Sequence, residues 1–262
     1  MSDNIIKIFS AIILAFVVFV NTIGNTIGIG DIIPTQPEET TASTTEKTEE
    51  FDEAEAAEFL AFLNAETAKI ADEGSYYIER RASYTEPINV GGATDTLNSI
   101  ISAIDSNSNL DSIVGGYFGI GTKRIEVPDN YISNSDYFLK ATNLRVSDLT
   151  SFSCEDGAYE FTIKNATNPK KNGVTGFSNF TNDFITEEAA KEEIAEITNI
   201  VTITDSNIEY TDIKVSVEVE DGKITEMSYS YDMDVEVTLN ALVNIRGTGA
   251  TRTTATFTNI EY

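Results

Sequence analysis

Asp232, Asp234 and Glu236 occupy every second position of an alternating apolar and polar run. Paired carboxylates can serve as acid and base in glycoside cleavage, but only facing each other across a cleft with one of them desolvated. Three in a row on the wetted face of a strand, about 7 Å apart per step, predict solvation and protection against aggregation. A carboxylate-dependent hydrolase is therefore only a remote alternative. Asp105, Asn107, Asn109 and Asp111 have the opening spacing of a calcium loop. The sixth position, which needs glycine, is Leu110, and the twelfth, which needs a bidentate glutamate, is Gly116. These residues predict a helix end with Asx turns and no metal site. Gly116 to Lys123 looks superficially like a phosphate loop, yet Thr122 precedes Lys123 where the motif requires lysine first. Its glycines predict tight turns or close backbone packing.

Histidine and tryptophan are absent and Cys154 is the single cysteine. That removes Ser-His-Asp and Cys-His nucleophile systems, histidine-based zinc sites and any intrachain disulfide. Cys154 alternates with Phe152 and has no basic neighbour, which predicts a small buried hydrophobe. No catalytic residue, cofactor site or metal ligand is assigned, and the expectation is a non-enzymatic protein.

Period two dominates the elements that would position any site. Met227, Tyr229, Tyr231, Met233, Val235, Val237 and Leu239 stand at odd positions, and the same parity continues through Ala241 and Val243 to Ile245. This predicts one overlong strand with a buried face and a wetted face, necessarily twisted and bent. The Met/Tyr face, Met227, Tyr229, Tyr231 and Met233, is either the wall of a lipid-sized pocket or an ordinary core. Around it the pattern predicts a helix over 51–72, a strand from Tyr76 to near Pro87 interrupted by Arg80 and Glu86, and a helix stripe of Leu97, Ile100, Ile101 and Ile104. A hairpin turns at Asp156-Gly157. The polar loop from Asn165 to Asp183 carries Phe177 and Phe180, with Phe184 following. Thr186 caps a third helix whose inward residues are Ala190, Ile194 and Ile197. Strands follow from Ile208 to Tyr262, with turns at Glu220 to Lys223 and at Gly247 to Gly249. Consecutive hairpins with segregated helices place the fold in the α+β class, as a long, strongly curved antiparallel β-meander packed against a few helices.

Three stretches divide the chain. In residues 1–30, Lys7 is followed by an apolar run from Ile8 to Val20, which serves equally as a cleaved signal peptide or an uncleaved membrane anchor. Residues 31–50 are a Thr/Glu/Pro stalk that should stay solvated. Residues 51–262 form a single domain. The charge bias around the apolar run points that domain outward, secreted or displayed at the cell surface. With 43 acidic against 17 basic residues and a net charge of -26, the chain cannot neutralise a phosphate backbone, so nucleic acid is excluded as a partner. Asn165-Ala-Thr167 and Asn179-Phe-Thr181 are sequons, meaningful only in a host that N-glycosylates.

An export segment, a stalk, a helix and long strands closing with Asp221-Gly-Lys-Ile-Thr-Glu-Met227 and Tyr229 to Leu239 resemble uncharacterised extracytoplasmic proteins of Gram-positive bacteria. More distantly, the layout is similar to lipoprotein-carrier and LppX-type folds, in which a curved sheet half-encloses helices. The missing lipobox cysteine departs from the lipidated members. The resemblance implies a carrier of an amphipathic ligand and transfers no site residues. The expected function is thus a secreted or membrane-tethered binding module holding an apolar or lipid-like ligand between sheet and helices. The alternative is a structural or protein-interaction domain of the cell envelope with a solid core. The expected partners are the membrane, through an uncleaved N-terminal segment, and an apolar small molecule or an envelope protein.

Overall fold

The computed structural model describes residues 50–104, 106–116, 118–128, 136–171, 173–197, 202–240 and 244–262. The N-terminal segment and nearly all of the stalk lie outside the described residues. No helix among the described residues is long and apolar enough to cross a membrane.

Helix α1 (Glu53–Glu73) opens where Asp52 Oδ1 accepts from the amides of Ala54 and Glu55, and Gly74 ends it. It buries Phe59, Leu60, Leu63 and Ile70 along one stripe. Strand β1 (Ser75–Asn89) follows, then α2 (Thr94–Ile104), α3 (Leu110–Val114) and β2 (Gly121–Val127). The hairpin β3 (Leu149–Glu155) and β4 (Ala158–Ile163) turns on Asp156 and Gly157, both at positive φ as a type I′ turn requires. A two-residue β5 (Ala166–Thr167), a short α4 (Gly176–Phe180) and α5 (Glu187–Ile197) precede the three longest strands: β6 (Thr202–Glu220), β7 (Lys223–Asn240) and β8 (Asn244–Glu261). Asp221 and Gly222, again at positive φ, turn β6 into β7.

The strands form one open antiparallel sheet in the order β2-β1-β8-β7-β6-β4-β3, with β5 paired to β6 off this path. Register shifts interrupt the long ladders, as between Thr211 and Lys214, where Asp212 adopts a left-handed φ of 50°. Such bulges bend strands that would otherwise run too long and straight for one core. The α+β curved meander is therefore the observed architecture. One face of the sheet carries Ile78, Ile208, Ile213, Val215, Val217 and Phe257 into a core closed by α1, α4 and the segment 136–148. The other face is polar, and its exposed and half-exposed ion pairs include Arg252 with Asp232 and Asp212, and Arg124 with Glu79.

Three expectations are corrected. The run from Met227 to Ile245 is not one strand: β7 ends at Asn240 and Ile245 lies in β8, opposite Leu239. β7 and β8 run antiparallel, and residues 241–243 between them lie outside the described residues. Asn240 pairs with Asn244 and Met233 with Thr251, so this hairpin maps odd positions onto odd positions. Apolar parity therefore passes through the turn unbroken. The turn expected at Gly247 to Gly249 is instead part of β8. A Cβ on Gly249 would lie 2.5 Å from Ile88 Cδ1, so this glycine permits close packing, whereas one on Gly247 would meet Val237 at an ordinary contact distance of 3.4 Å. Third, Cys154 is exposed. The aromatic layer of Phe51, Phe59 and Tyr159 reaches Phe152, and Cys154, next on that strand face, stands nearer the hairpin tip, where burial ceases.

Candidate functional site

Arg80, which breaks the apolar parity of β1, is not turned outward. Its even position points it into the core between Ile78 and Ala82, and its side chain is only 4% exposed. A guanidinium there requires a partner. Asp183 supplies it, from the chain just after α4, with a side chain 3% exposed. Local hydrogen bonds fix that carboxylate. Thr175 caps α4 by accepting from the Ser178 amide, the Thr181 amide closes the helix on Phe177 O, and the Asp183 amide donates to Thr181 Oγ1. Phe177, Phe180 and Phe184 are all buried and anchor this segment on the sheet.

Asp183 Oδ2 accepts from Arg80 Nε at 2.7 Å and from the Tyr229 hydroxyl at 2.8 Å. Its backbone carbonyl accepts from the Tyr231 hydroxyl at 2.7 Å. Arg80 Nη1 donates to Gly119 O at 3.0 Å, and the Tyr137 ring lies 4.7 Å from the guanidinium carbon. Lys123 Nζ sits 4.0 Å from the centre of the same ring and donates to its hydroxyl. Gly119 has φ 64°, and a Cβ there would stand 3.0 Å from Arg80 Nη1, so glycine suits both the turn and the close approach. Burial works against the Arg80 charge, but Asp183 more than offsets it and drives the guanidinium pKa further up. Burial, followed by neighbouring charge and phenol groups, raises the tyrosine pKa values: Tyr210 and Tyr229 lie well above the ordinary phenol value, and Tyr231 also lies above it. All three are neutral hydrogen-bonding phenols at any physiological pH. Tyr210 uses both its valences on Ile185, accepting from the amide at 2.8 Å and donating to the carbonyl at 3.1 Å.

Met227, Tyr229, Tyr231 and Met233 are all buried, each at 5% exposure or less. Phe180 packs edge-on against Tyr229 at 5.5 Å and Phe177 against Tyr231 at 5.3 Å, so the covering loop fills most of this face. A cavity of about 100 Å³ remains at one end, lined by Tyr231, Met233, Arg80 and Asp183 together with Tyr137 and Ile185 among others. The structure thus divides the four predicted residues. Tyr231 and Met233 line this cavity, whereas Met227 and Tyr229 are not among its lining residues.

The remaining sequence candidates stand elsewhere in the fold or outside the described residues. Asp232 binds Arg252 in a two-point pair at 2.7 and 2.9 Å, and Glu236 binds Arg246. Asp234 is exposed beside them. Among the described residues no group of acidic and cysteine side chains is placed to hold a metal ion. Asp105 lies outside them, Asn109 caps α3 and Asp111 Oδ1 accepts from the Ile88 amide at 2.7 Å. Sequence reasoning registered Arg80 as a break in parity and missed its role. It gave no signal for Asp183, whose position depends on how the loop folds back. No protein-family model, curated protein or solved structure matches the chain.

Proposed function

We propose that this chain is a non-enzymatic, extracytoplasmic binding module, secreted or held at the membrane by its N-terminal segment. Its ligand site is the cavity beside the Arg80–Asp183 pair. The observation that carries this reading is the pair itself. A buried ion pair is often no more stabilising than a hydrophobic replacement of the same shape, and here the pair lines a cavity rather than closed packing. The cavity is far too small for a lipid chain, so the ligand is small and polar rather than lipid-like. The filled part of the Met/Tyr face supports a second reading, a structural or protein-interaction domain with a solid core. Native mass spectrometry of the full chain, purified in detergent from its native source and then extracted with organic solvent, separates the two. A stoichiometric small mass released on extraction supports the binding module, and a clean apo mass supports the structural domain.

A further inference from the structure

The cavity's volume and its unspent hydrogen-bonding positions define a ligand class; this inference rests on the binding-module reading above. Arg80 has five N–H donors. Nε is used on Asp183, Nη1 on Gly119 and a further N–H on the Tyr231 hydroxyl, while Asp183 Oδ1 accepts no hydrogen bond from the described residues. Ser206 Oγ is the one side-chain polar atom among the described residues that is sealed from solvent without a partner. The open valences of Arg80 and Asp183 are therefore not sealed in protein, and at 4% and 3% exposure they open onto the cavity both residues line.

Size comes next. A cavity of about 150 Å³ takes benzene, six heavy atoms, and this one is about 100 Å³. In proportion it holds about four, so a ligand of five heavy atoms reaches its mouth. Charge narrows the choice further, because the third charged residue of the lining, Asp136, is already paired with Lys171 at 2.6 Å. A lone carboxylate on Arg80 would add a second anion beside Asp183, and a lone ammonium on Asp183 would add a second cation beside Arg80. Either leaves net charge in a desolvated site. A ligand carrying both groups satisfies both valences with charge-assisted hydrogen bonds and adds no net charge. Phe118, Tyr137 and Phe184 supply apolar walls for its carbon atoms.

We propose that this cavity binds a small α-amino acid as its zwitterion, of glycine size, with the carboxylate on Arg80 and the ammonium on Asp183 Oδ1. Isothermal titration calorimetry of the full chain in detergent, with glycine, acetate and methylammonium as separate probes, tests it. Glycine is expected to bind one per chain, and each single-charge probe roughly tenfold or more weakly, the loss of one charge-assisted bond. Ile185→Trp, which fills the cavity from its cover, is expected to abolish glycine binding with the circular dichroism spectrum unchanged. If that variant does not fold, Met233→Phe adds bulk from the sheet side and is expected to give the same loss. Acetate or methylammonium binding as tightly as glycine, glycine binding unchanged in a folded filled variant, or no glycine binding at millimolar concentration would each overturn the assignment. In the last case, a small mass still released from the native protein brings down the ligand class alone. An apo mass brings down the binding module with it.

Discussion

Removing the carboxylate of the buried pair isolates the feature on which the site depends. Asp183→Ala leaves the Arg80 guanidinium, 4% exposed, without its counter-charge and leaves the Tyr229 hydroxyl without its acceptor. Breaking a buried pair on one side costs about 3–5 kcal/mol. The orphaned phenol adds about 1 kcal/mol, although neighbouring losses do not sum fully. The expected loss is thus near the upper end of that range, a large share of the roughly 5–15 kcal/mol that holds a domain folded. Arg252→Ala is the matched control. It also breaks ion pairs, with Asp232 and Asp212, but its side chain is 47% exposed, and pairs of that kind contribute about 0–1 kcal/mol. The chain has no tryptophan, so urea unfolding is followed by far-ultraviolet circular dichroism. At about 2 kcal/mol per molar urea, Asp183→Ala should lower the midpoint by roughly 1.5–2.5 M and Arg252→Ala by no more than about 0.5 M. Arg80→Met added to Asp183→Ala removes the stranded charge and should recover part of the loss. An Asp183→Ala variant no less stable than Arg252→Ala would refute the claim that the pair is an internal, desolvated element.

Asn64 Nδ2 donates to Leu144 O while its Oδ1 accepts from the Leu144 amide and the Thr142 hydroxyl, fastening α1 to the segment that closes the core. Asn64→Ala should cost about 1–3 kcal/mol and release hydrogen-exchange protection first at Thr142 and Leu144. Asp234 is held above the ordinary carboxylate range, first by burial and then by Glu86 and Asp232. The folded chain thus binds that proton more tightly than the unfolded chain, and stability falls as pH rises through the interval just above the ordinary value. Asp234→Asn should therefore be slightly more stable than wild type at pH 7, by under about 0.5 kcal/mol because the site is exposed, with the difference vanishing in acid. Thermal melts of both proteins across pH check the sign. Cys154 is exposed, so it should react with a maleimide in the folded protein without denaturant. Cys154→Ser should change stability by no more than about 0.5 kcal/mol.

Local chemistry made much of this fold legible. Asp156-Gly157 and Asp221-Gly222 turn where their positive φ requires, Thr186 caps α5 through the Ala189 amide, and the even positions of β1 from Tyr76 to Ala82 face inward. The reversal between Asn240 and Asn244 escaped because its register keeps odd residues on one face, which makes two strands read as one. Gly247 and Gly249 have the composition of a turn but lie within β8, where Gly249 serves packing against Ile88, a tertiary demand that no local pattern records. The site was half legible for the same reason. Parity alone puts Tyr231 and Met233 inside and marks Arg80 as anomalous. Whether the face they share is filled or hollow depends on Phe177, Phe180 and Asp183, which approach it from a loop distant in sequence.

The binding-module account rests on a molecule occupying the space between Arg80, Asp183 and Tyr137. A crystal structure of the full chain, purified from its native source without added amino acids, tests this most directly. The account predicts discrete density for a small molecule bonded to both the Arg80 guanidinium and Asp183 Oδ1. Density for water alone, bridging the two groups in a chain that also releases no small mass on extraction, would contradict it.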